Sequence, residues 1–372
     1  MSTRKVPFFD YPYVFKSEEE TYMNIFKDVC SRGAFILQKD LTEFEKNLAE
    51  FVGVKYAVGV ANGTDAITMG LRAAGIKEGD ECIFSSHTFV ATAAAIHYAG
   101  GKPVPVECAP DHQISVEDIR KNITDKTKFI VPTQLNGRCS KMDDIIEIAN
   151  EYNLKIVEDS AQALGAKFKG QCAGTFGSSG SISFYPAKVL GCFGDAGAVF
   201  TNDEEVYKSL MIQRDHGRCP ETGEVVDWGL NLRMDNLQAA FLNQKLKSYP
   251  SVITRRREIA AIYNDRLKDL EQLALPPAPT EGGDYFDIFQ NYEIRAERRD
   301  ELKKFLADNN IGTLCQWGGK AVHEFEALKL SKDLPFTEQV TSTMLLLPIN
   351  MSVSNDDIEY VCETITKFYK SL

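Results

Sequence analysis

Short apolar runs rich in β-branched and aromatic residues alternate with longer amphipathic stretches through the first half of the chain. The strand-like runs cover residues 56–60, 81–84, 103–107, 129–131, 155–158, 181–184 and 198–201. The helical patterns between the first five of them cover residues 64–75, 89–99, 115–123 and 142–153. This alternation predicts an α/β fold, with a mainly parallel sheet that lies between helices.

Further patterns flank this region on both sides. Residues 17–31 and 39–52 are predicted to be helical, since Leu41, Phe44 and Leu48 share one face of the second segment. The later elements are a long amphipathic helix after residue 235, strongly charged from about residue 246, a proline-rich link at 276–279, a strand at 290–295, and helices at 298–309 and 355–370. The change of pattern predicts a large domain, residues 1–245, and a smaller C-terminal α+β domain, residues 246–372.

The composition narrows the class of protein. Of the 372 residues, 44% are hydrophobic and 26% are charged, which is typical of a soluble globular protein. No segment approaches the length of a transmembrane span, and the N-terminus lacks the apolar core of a secretory signal, so we expect a cytoplasmic protein without membrane contact. The net charge of −11 opposes nonspecific binding to nucleic acid.

Neither the cysteines nor the histidines are spaced as metal ligands. The nine cysteines include no Cys-x-x-Cys pair, which favours reduced thiols. The five histidines, at positions 87, 97, 112, 216 and 323, show no ligand spacing with one another or with a cysteine pair. The sequence therefore predicts no metal site.

Lys188 lies where a buried strand is expected to end. The apolar run 181–184 leads to Pro186, and glycines follow at positions 191, 194 and 197. A lysine among apolar neighbours loses hydration, which lowers its pKa and favours the neutral amine that attacks carbonyl groups. For any single lysine, however, a surface position with the stem lying over a loop is the plainer interpretation.

Asp159 supplies a second group with suitable chemistry. It follows the run 155–158 directly, and Gln162 comes three residues later. Because ligands of open α/β sheets bind at the carboxyl ends of strands, we expect Asp159 and Lys188 to face one crevice. Pyridoxal 5′-phosphate needs a lysine for its Schiff base and an acidic partner for its ring nitrogen, so the pair predicts a site for this cofactor.

Five motifs in order resemble the DegT/StrS type of sugar aminotransferases, which have the aspartate-aminotransferase fold, fold type I of the pyridoxal-phosphate enzymes. The resemblance runs from about Gly33 to the C-terminal helix. The motifs are Asn62-Gly-Thr-Asp-Ala66, Thr88-Phe-Val-Ala-Thr92, Glu158-Asp-Ser-Ala-Gln162, Ser183-Phe-Tyr-Pro-Ala-Lys188 and Gly229-Leu-Asn-Leu-Arg-Met-Asp235. Two departures lie outside the cofactor motifs, the stretch 132–138 and Ala196, where many members have Pro-Val-His-Leu-Tyr-Gly-Gln and a glycine.

The resemblance implies a role for each site residue. Lys188 and Asp159 would be catalytic, and the other cofactor-binding residues would be Gly63, Thr64, Phe89, Gln162, Ser183 and Asn231. The substrate would be bound by Tyr185, Arg233, Trp317 and His323. Asn231 would reach the cofactor phosphate of the other subunit, which implies a homodimer with shared active sites. The plainer alternatives are a helix N-cap at residues 62–65, core positions for the aromatic residues, and a polar loop at residues 229–235.

The resemblance also implies the reaction. L-Glutamate would donate its amino group to a keto group, at C3 or C4, of a nucleotide-linked deoxy-keto-sugar, in amino-sugar and surface-polysaccharide biosynthesis such as that of lipopolysaccharide O-antigen. A ketocyclitol substrate and a non-catalytic regulatory protein that binds pyridoxal phosphate are the alternatives. A Rossmann-type enzyme is disfavoured, because the glycines at 191, 194 and 197 lack the Gly-x-Gly-x-x-Gly spacing.

Overall fold

The computed structural model describes residues 4–372. Its helices are α1 (Tyr11–Lys16), α2 (Glu19–Ser31), α3 (Lys39–Val52), α4 (Gly63–Ala73), α5 (Val90–Tyr98), α6 (Val116–Lys121), α7 (Met142–Glu151), α8 (Glu204–Arg214), α9 (Asn236–Leu267), α10 (Arg299–Asp308), α11 (Pro335–Thr343) and α12 (Asn355–Lys370). The strands are β1 (Tyr56–Val60), β2 (Glu81–Ser85), β3 (Lys102–Val106), β4 (Thr127–Val131), β5 (Lys155–Asp159), β6 (Lys167–Phe168), β7 (Gln171–Cys172), β8 (Ser179–Ser183), β9 (Gly197–Thr201), β10 (Leu273–Ala274), β11 (Tyr285–Phe286), β12 (Tyr292–Ala296) and β13 (Met344–Leu347).

Seven strands form the central sheet, in the order β1-β9-β8-β5-β4-β2-β3. The pairings from β8 through β5, β4 and β2 to β3 are all parallel. Only β9 runs against its neighbours, β8 and β1. The α/β prediction with a mainly parallel sheet is therefore confirmed, and the carboxyl ends of the parallel strands meet at one edge.

Consecutive residues of β5 show that both faces of the sheet are covered. Ile156 packs in a core cluster that holds Leu48 of α3, Ile145 of α7 and Leu242 of α9. The side chain of Val157 points to the opposite face and packs in a second cluster with residues of α4 and α5. Because the strands are buried on both faces, they appear in the sequence as nearly continuous apolar runs.

A separate core lies between α9, α10, α12 and the strands β12 and β13. Tyr263, near the end of α9, is fully buried there with Tyr292 and Leu347. The predicted domain boundary at 245/246 falls inside α9, whose first half packs on the central sheet and whose second half packs in this separate core. The division into two domains stays a prediction. Among residues 4–372, each helix is either too short or too polar to cross a membrane.

Candidate active site

A cleft of about 740 Å³ opens at the carboxyl ends of the parallel strands. It collects residues from four of the five sequence motifs. Of the residues predicted for the site, those that line it are Gly63, Thr64, Phe89, Asp159, Gln162, Ser183, Tyr185, Lys188 and Trp317. The sheet topology explains this grouping, because the loops after β1, β2, β5 and β8 all leave the sheet near this edge.

Lys188 lies in the loop that follows β8. Its backbone N–H donates to the carbonyl of Tyr185 at 2.8 Å, which closes a turn directly after the strand. Burial lowers the pKa of Lys188 to about 8, and the negative charge of Asp159 opposes part of this shift. A larger fraction of this lysine is therefore a neutral amine near neutral pH than is usual for a lysine, as the sequence predicted.

Asp159 is the last residue of β5 and is 4% exposed. Thr92 Oγ1 donates to its Oδ2 at 2.6 Å, and the backbone N–H of Ala161 donates to its Oδ1 at 3.1 Å. Burial raises the pKa of Asp159, while these donors and Lys188 lower it in part. A carboxylate in this position is stabilised best by a cation placed beside it in the cleft.

The first turn of α4 forms a tight cradle with the end of β8. Asn62 caps the helix, since its side-chain oxygen accepts the N–H of Asp65 at 2.9 Å. A Cβ added to Gly63 would stand 2.8 Å from Ser183 Cβ, so only glycine fits there. The helix N-terminus, Thr64 and the hydroxyl of Ser183 thus face one end of the cleft, where an anionic phosphate is favoured.

Aromatic and amide groups also line the cleft. Phe89 is 53% exposed, and its ring lies 6.4 Å from that of Trp317 at an angle of 35°. Gln162 lines the cleft as well, and its Oε1 accepts the backbone N–H of Asn136 at 2.8 Å. A lysine with a lowered pKa, a buried carboxylate, a phosphate cradle and exposed aromatic walls fit pyridoxal phosphate.

The sequence profile of the DegT/DnrJ/EryC1/StrS aminotransferase family matches residues 16–366. The chain belongs to this family. It is an aminotransferase that uses pyridoxal 5′-phosphate, as the motifs predicted.

The similarity to named members of the family extends over the whole chain. A dTDP-3-amino-3,6-dideoxy-alpha-D-galactopyranose transaminase of Aneurinibacillus thermoaerophilus is 35% identical, over 98% of this chain and 99% of that protein. A pleiotropic regulatory protein of Geobacillus stearothermophilus is 34% identical over the same shares. The S. venezuelae DesV structure, solved in complex with a ketimine intermediate, has a TM-score of 0.95 at 34% identity and covers 100% of both chains.

Three residues predicted for the site do not line the cleft of this aminotransferase. Asn231 is exposed in the loop before α9, where it bridges to Asp215. Arg233 pairs with the same aspartate at 3.0 Å. His323 is buried, and its Nδ1 and Nε2 lie 2.7 and 3.2 Å from Ser86 Oγ and Glu338 Oε1. The binding roles of Asn231, Arg233 and His323 stay predictions, as do the other assignments.

The structure also shows polar groups at the site that the sequence analysis missed. Thr92 holds Asp159, although the motif 88–92 had been singled out without a role for its last residue. Asp195 lines the cleft. A larger omission is the group that we call the Glu293 network, which comprises Glu293 and the side chains that bond to it, His87, His112, Asn136 and Gln316.

Three members of the Glu293 network have the chemistry of metal ligands. One ring nitrogen of His87, one of His112 and a carboxylate oxygen of Glu293 all lie within 4.8 Å of one another. Spacing along the chain could not show this, because the three residues come from different strands and loops. The absence of a metal stays a prediction.

Proposed function

We propose that the protein transfers the amino group of L-glutamate to a keto group, at C3 or C4, of a nucleotide-linked deoxy-keto-sugar. The observation that carries this proposal is the placement of Lys188 and buried Asp159 in one cleft of a chain from this family. The named transaminase with 35% identity, whose product is a nucleotide-linked amino sugar, supports the substrate class. In this proposal the amino sugar serves the synthesis of a surface polysaccharide.

In this proposal each side chain has a separate task. Pyridoxal phosphate, when bound, supplies a ring that accepts electrons from the reacting carbon. The N-terminus of α4, Thr64 and Ser183 would hold its phosphate, and Asp159 would stabilise a positive charge at its ring nitrogen. Lys188 would be the point of covalent attachment, and its free, neutral amine would take the proton from the α-carbon of the amino donor.

A regulatory role without turnover is the second candidate, because one relative is named a pleiotropic regulatory protein. A protein that only binds the cofactor would need the cradle at Gly63 and Ser183. It would not need a base beside a buried carboxylate. The presence of both Lys188 and Asp159 in the cleft favours turnover.

A substrate panel tests the proposed reaction. The purified protein with bound cofactor and L-glutamate is incubated with 3-keto and 4-keto sugars linked to dTDP, UDP or GDP, and with a ketocyclitol. We expect 2-oxoglutarate and an amino sugar to form with at least one nucleotide-linked sugar. Turnover of the ketocyclitol alone would show that the keto substrate is a cyclitol and not a sugar. Turnover of no compound in the panel would favour the regulatory role.

We also propose that the active protein is a homodimer. The loop that carries Asn231 exposes a run of large apolar side chains, with Trp228 94%, Val225 68% and Leu230 51% exposed. Apolar groups that cluster in this way are typical of surfaces that bind another protein. Because Asn231 is exposed in this loop and does not line its own cleft, the loop is suited to deliver Asn231 to the cleft of a second copy.

Subunit mixing is expected to restore activity between two inactive variants. Asn231→Asp places a carboxylate next to the cofactor phosphate, and repulsion at short range should leave that homodimer with little cofactor. Lys188→Ala lacks the amine. In a mixed dimer, one cleft has both changes and the other has neither. We therefore expect activity to return when the two variants exchange subunits, measured as 2-oxoglutarate release.

A second mixture provides the control. Lys188→Ala and Asp159→Asn both change the cleft of their own subunit, so every cleft of their mixed dimer carries one change, and activity should not return. If the mixture with Asn231→Asp stays as inactive as this control after confirmed exchange, Asn231 does not serve the cleft of the other subunit.

A further inference from the structure

The carboxylate of Glu293 is buried and lines a smaller cavity together with His112 and Asn136. Glu293 lies in β12 and is 1% exposed. Its Oε1 accepts from His87 Nε2 at 2.9 Å, and His112 Nδ1 lies 3.0 Å from the same oxygen. Its Oε2 accepts from Asn136 Nδ2 at 2.9 Å and from Gln316 Nε2. Four polar side chains thus surround the two oxygens.

This arrangement keeps Glu293 ionised. Burial alone would raise its pKa, but His87 and His112 outweigh this effect and hold the pKa of Glu293 well below its usual range. An ionised carboxylate can only accept hydrogen bonds, whereas a carboxamide both donates and accepts. Glu293 therefore imposes one direction on each amide that it contacts.

The direction passes from Glu293 to Gln316. Because the NH₂ group of Gln316 faces Glu293, and also donates to Asn136 Oδ1 at 3.0 Å, its Oε1 must face the other way. There it lies 3.4 Å from Gln162 Nε2 and 3.3 Å from Asn291 Nδ2, both of which donate. A reversed Gln316 would bring its NH₂ group against two other NH₂ groups.

Both ends of the Gln162 amide are therefore held by residues, Gln316 and Asn136, whose side chains donate to Glu293 Oε2. Its Nε2 donates to Gln316, and its Oε1 accepts the backbone N–H of Asn136. Trp317 also depends on Gln316, the residue before it. Trp317 has a left-handed backbone, with φ of 50°, which is unfavourable for a bulky residue and requires support from its surroundings.

We propose that Glu293 is a positioning residue, whose carboxylate accepts hydrogen bonds at both oxygens and so sets the direction of the Gln316 amide and the places of Gln162 and Trp317 in the cleft. Gln162 and Trp317 line the cleft, whereas Glu293 itself does not. The consequence for sugar binding rests on the proposed function. The consequence for the structure of the cleft does not.

A metal ion at His87, His112 and Glu293 is the competing interpretation, and two observations disfavour it. Both histidine nitrogens lie at hydrogen-bond distance from the same oxygen, so the arrangement is complete with protons alone. A metal-bound histidine nearly always donates its other ring N–H to an acceptor. His87 Nδ1 is buried and has no such partner among residues 4–372.

The test uses Glu293→Gln, which keeps the shape and removes the acceptor-only group. The chain has two tryptophans, so Trp228→Phe leaves Trp317 as the only tryptophan and its emission as a direct report. In that background we expect Glu293→Gln to shift the Trp317 emission. In the protein that keeps Trp228, we expect Glu293→Gln to raise the dissociation constant of pyridoxal phosphate about tenfold, roughly the loss of one hydrogen bond. The KM for an active keto-sugar should rise as well.

A swap of the two residues separates direction from charge pairing. In Glu293→Gln with Gln316→Glu, the carboxylate at position 316 still accepts from Gln162, whereas the histidines lose their carboxylate. We expect the emission and the cofactor affinity to return most of the way to their original values. If Glu293 acted only by pairing with the histidines, the swap would not restore either quantity, and the proposal would be overturned.

Two further variants make the outcome decisive. Gln316→Met leaves Glu293 and its histidines in place and breaks the hydrogen bonds that connect Glu293 to Gln162. It should therefore change the Trp317 emission and the cofactor affinity even if Glu293→Gln fails to fold. Glu107→Gln is the matched control. Glu107 is a carboxylate that accepts the N–H groups of Phe336 and Thr337 outside the cleft, and its replacement should leave emission and cofactor affinity unchanged.

Other results would contradict the proposal. If Glu293→Gln and Gln316→Met both fold and leave the emission and the cofactor affinity unchanged, Glu293 does not position Gln162 or Trp317. One equivalent of a transition metal in the purified protein, lost in Glu293→Gln, would show that the network is a metal site. An enzyme inactive on the whole sugar panel would overturn the proposed function, but the emission and affinity predictions would still be tested.

Discussion

Replacement of Lys188 by alanine is expected to abolish amino transfer, with a loss of at least about 10⁴-fold in kcat. Lys188 lines the same cleft as the phosphate cradle, and burial lowers its pKa to about 8. In our proposal it is both the point of covalent attachment and the base, so alanine removes two functions at once. The yellow colour of the protein should disappear with the activity, although noncovalent cofactor can remain in the cradle.

Borohydride reduction followed by peptide mass mapping identifies the lysine directly. We expect the reduced cofactor on Lys188 and on no other lysine. Lys245 is the informative control, because burial lowers its pKa to about 8 as well. It lies 4.2 Å over the ring of Phe193 and donates to the carbonyl of Gly191, away from the residues that line the cleft. Label on Lys188 in Lys245→Met, and none in Lys188→Ala, is the expected pair of results.

The pH dependence of cofactor capture adds an independent check. A protonated amine cannot attack a carbonyl, so covalent capture by the cofactor-free protein should accelerate as the pH rises toward 8 and then level off. An ordinary lysine would give a rate that keeps rising to about pH 10. A rise of that kind, or reduced cofactor on another lysine, would show that Lys188 is not the attachment point.

The elements that the sequence predicted best have a long, regular apolar face. The segment 39–52 coincides with α3, and the segment 355–370 coincides with α12. The helix α8 was not predicted, because only two of its buried residues, Val206 and Leu210, are apolar. Its start signal was present, since Asp203 accepts the N–H groups of the first turn.

Two neighbouring elements show a different limit of pattern analysis. The helix α11 ends at Thr343 and β13 begins at Met344, so no turn residues separate them. The apolar run of β13 is only four residues long and has no signature of its own until it pairs with β12. That pairing is a tertiary contact, which local patterns do not reveal.

The cleft followed from the sequence where its residues lie in contiguous motifs at strand ends. Gly63, Asp159 and Lys188 each follow a predicted strand, and Ser183 lies near the end of one, so the edge of the sheet brings them together. Glu293 lies instead within a strand, between the buried Tyr292 and Ile294.

The partners of Glu293 come from widely separated positions, His87, His112, Asn136 and Gln316. Only the folded chain shows that four polar side chains surround a carboxylate in this largely buried strand. The single available signal was the charge itself, since an acidic residue in an apolar strand requires partners.

Asp159→Asn is expected to lower kcat by about 10³-fold or more and to leave the melting temperature within a few degrees. The amide has nearly the same shape, its oxygen can still accept the N–H of Ala161, and the hydroxyl of Thr92 can rotate to accept from its NH₂ group. The amide carries no charge, however. It cannot hold a positive charge at the ring nitrogen, which is the task proposed for Asp159.

The neighbouring Glu158 provides the matched control. It lies on the opposite face of β5 and accepts the N–H groups of Gly174, Phe176 and Gly177, so its work is structural. Glu158→Gln should lower the melting temperature, because it leaves buried N–H groups poorly bonded, while the folded fraction keeps its kcat. Asp159→Asn should thus lower kcat with little effect on the melting temperature, whereas Glu158→Gln should lower the melting temperature with little effect on kcat. Near-normal turnover in Asp159→Asn would mean that this carboxylate, like that of Glu158, serves only the fold. The ring nitrogen would then need another partner in the cleft.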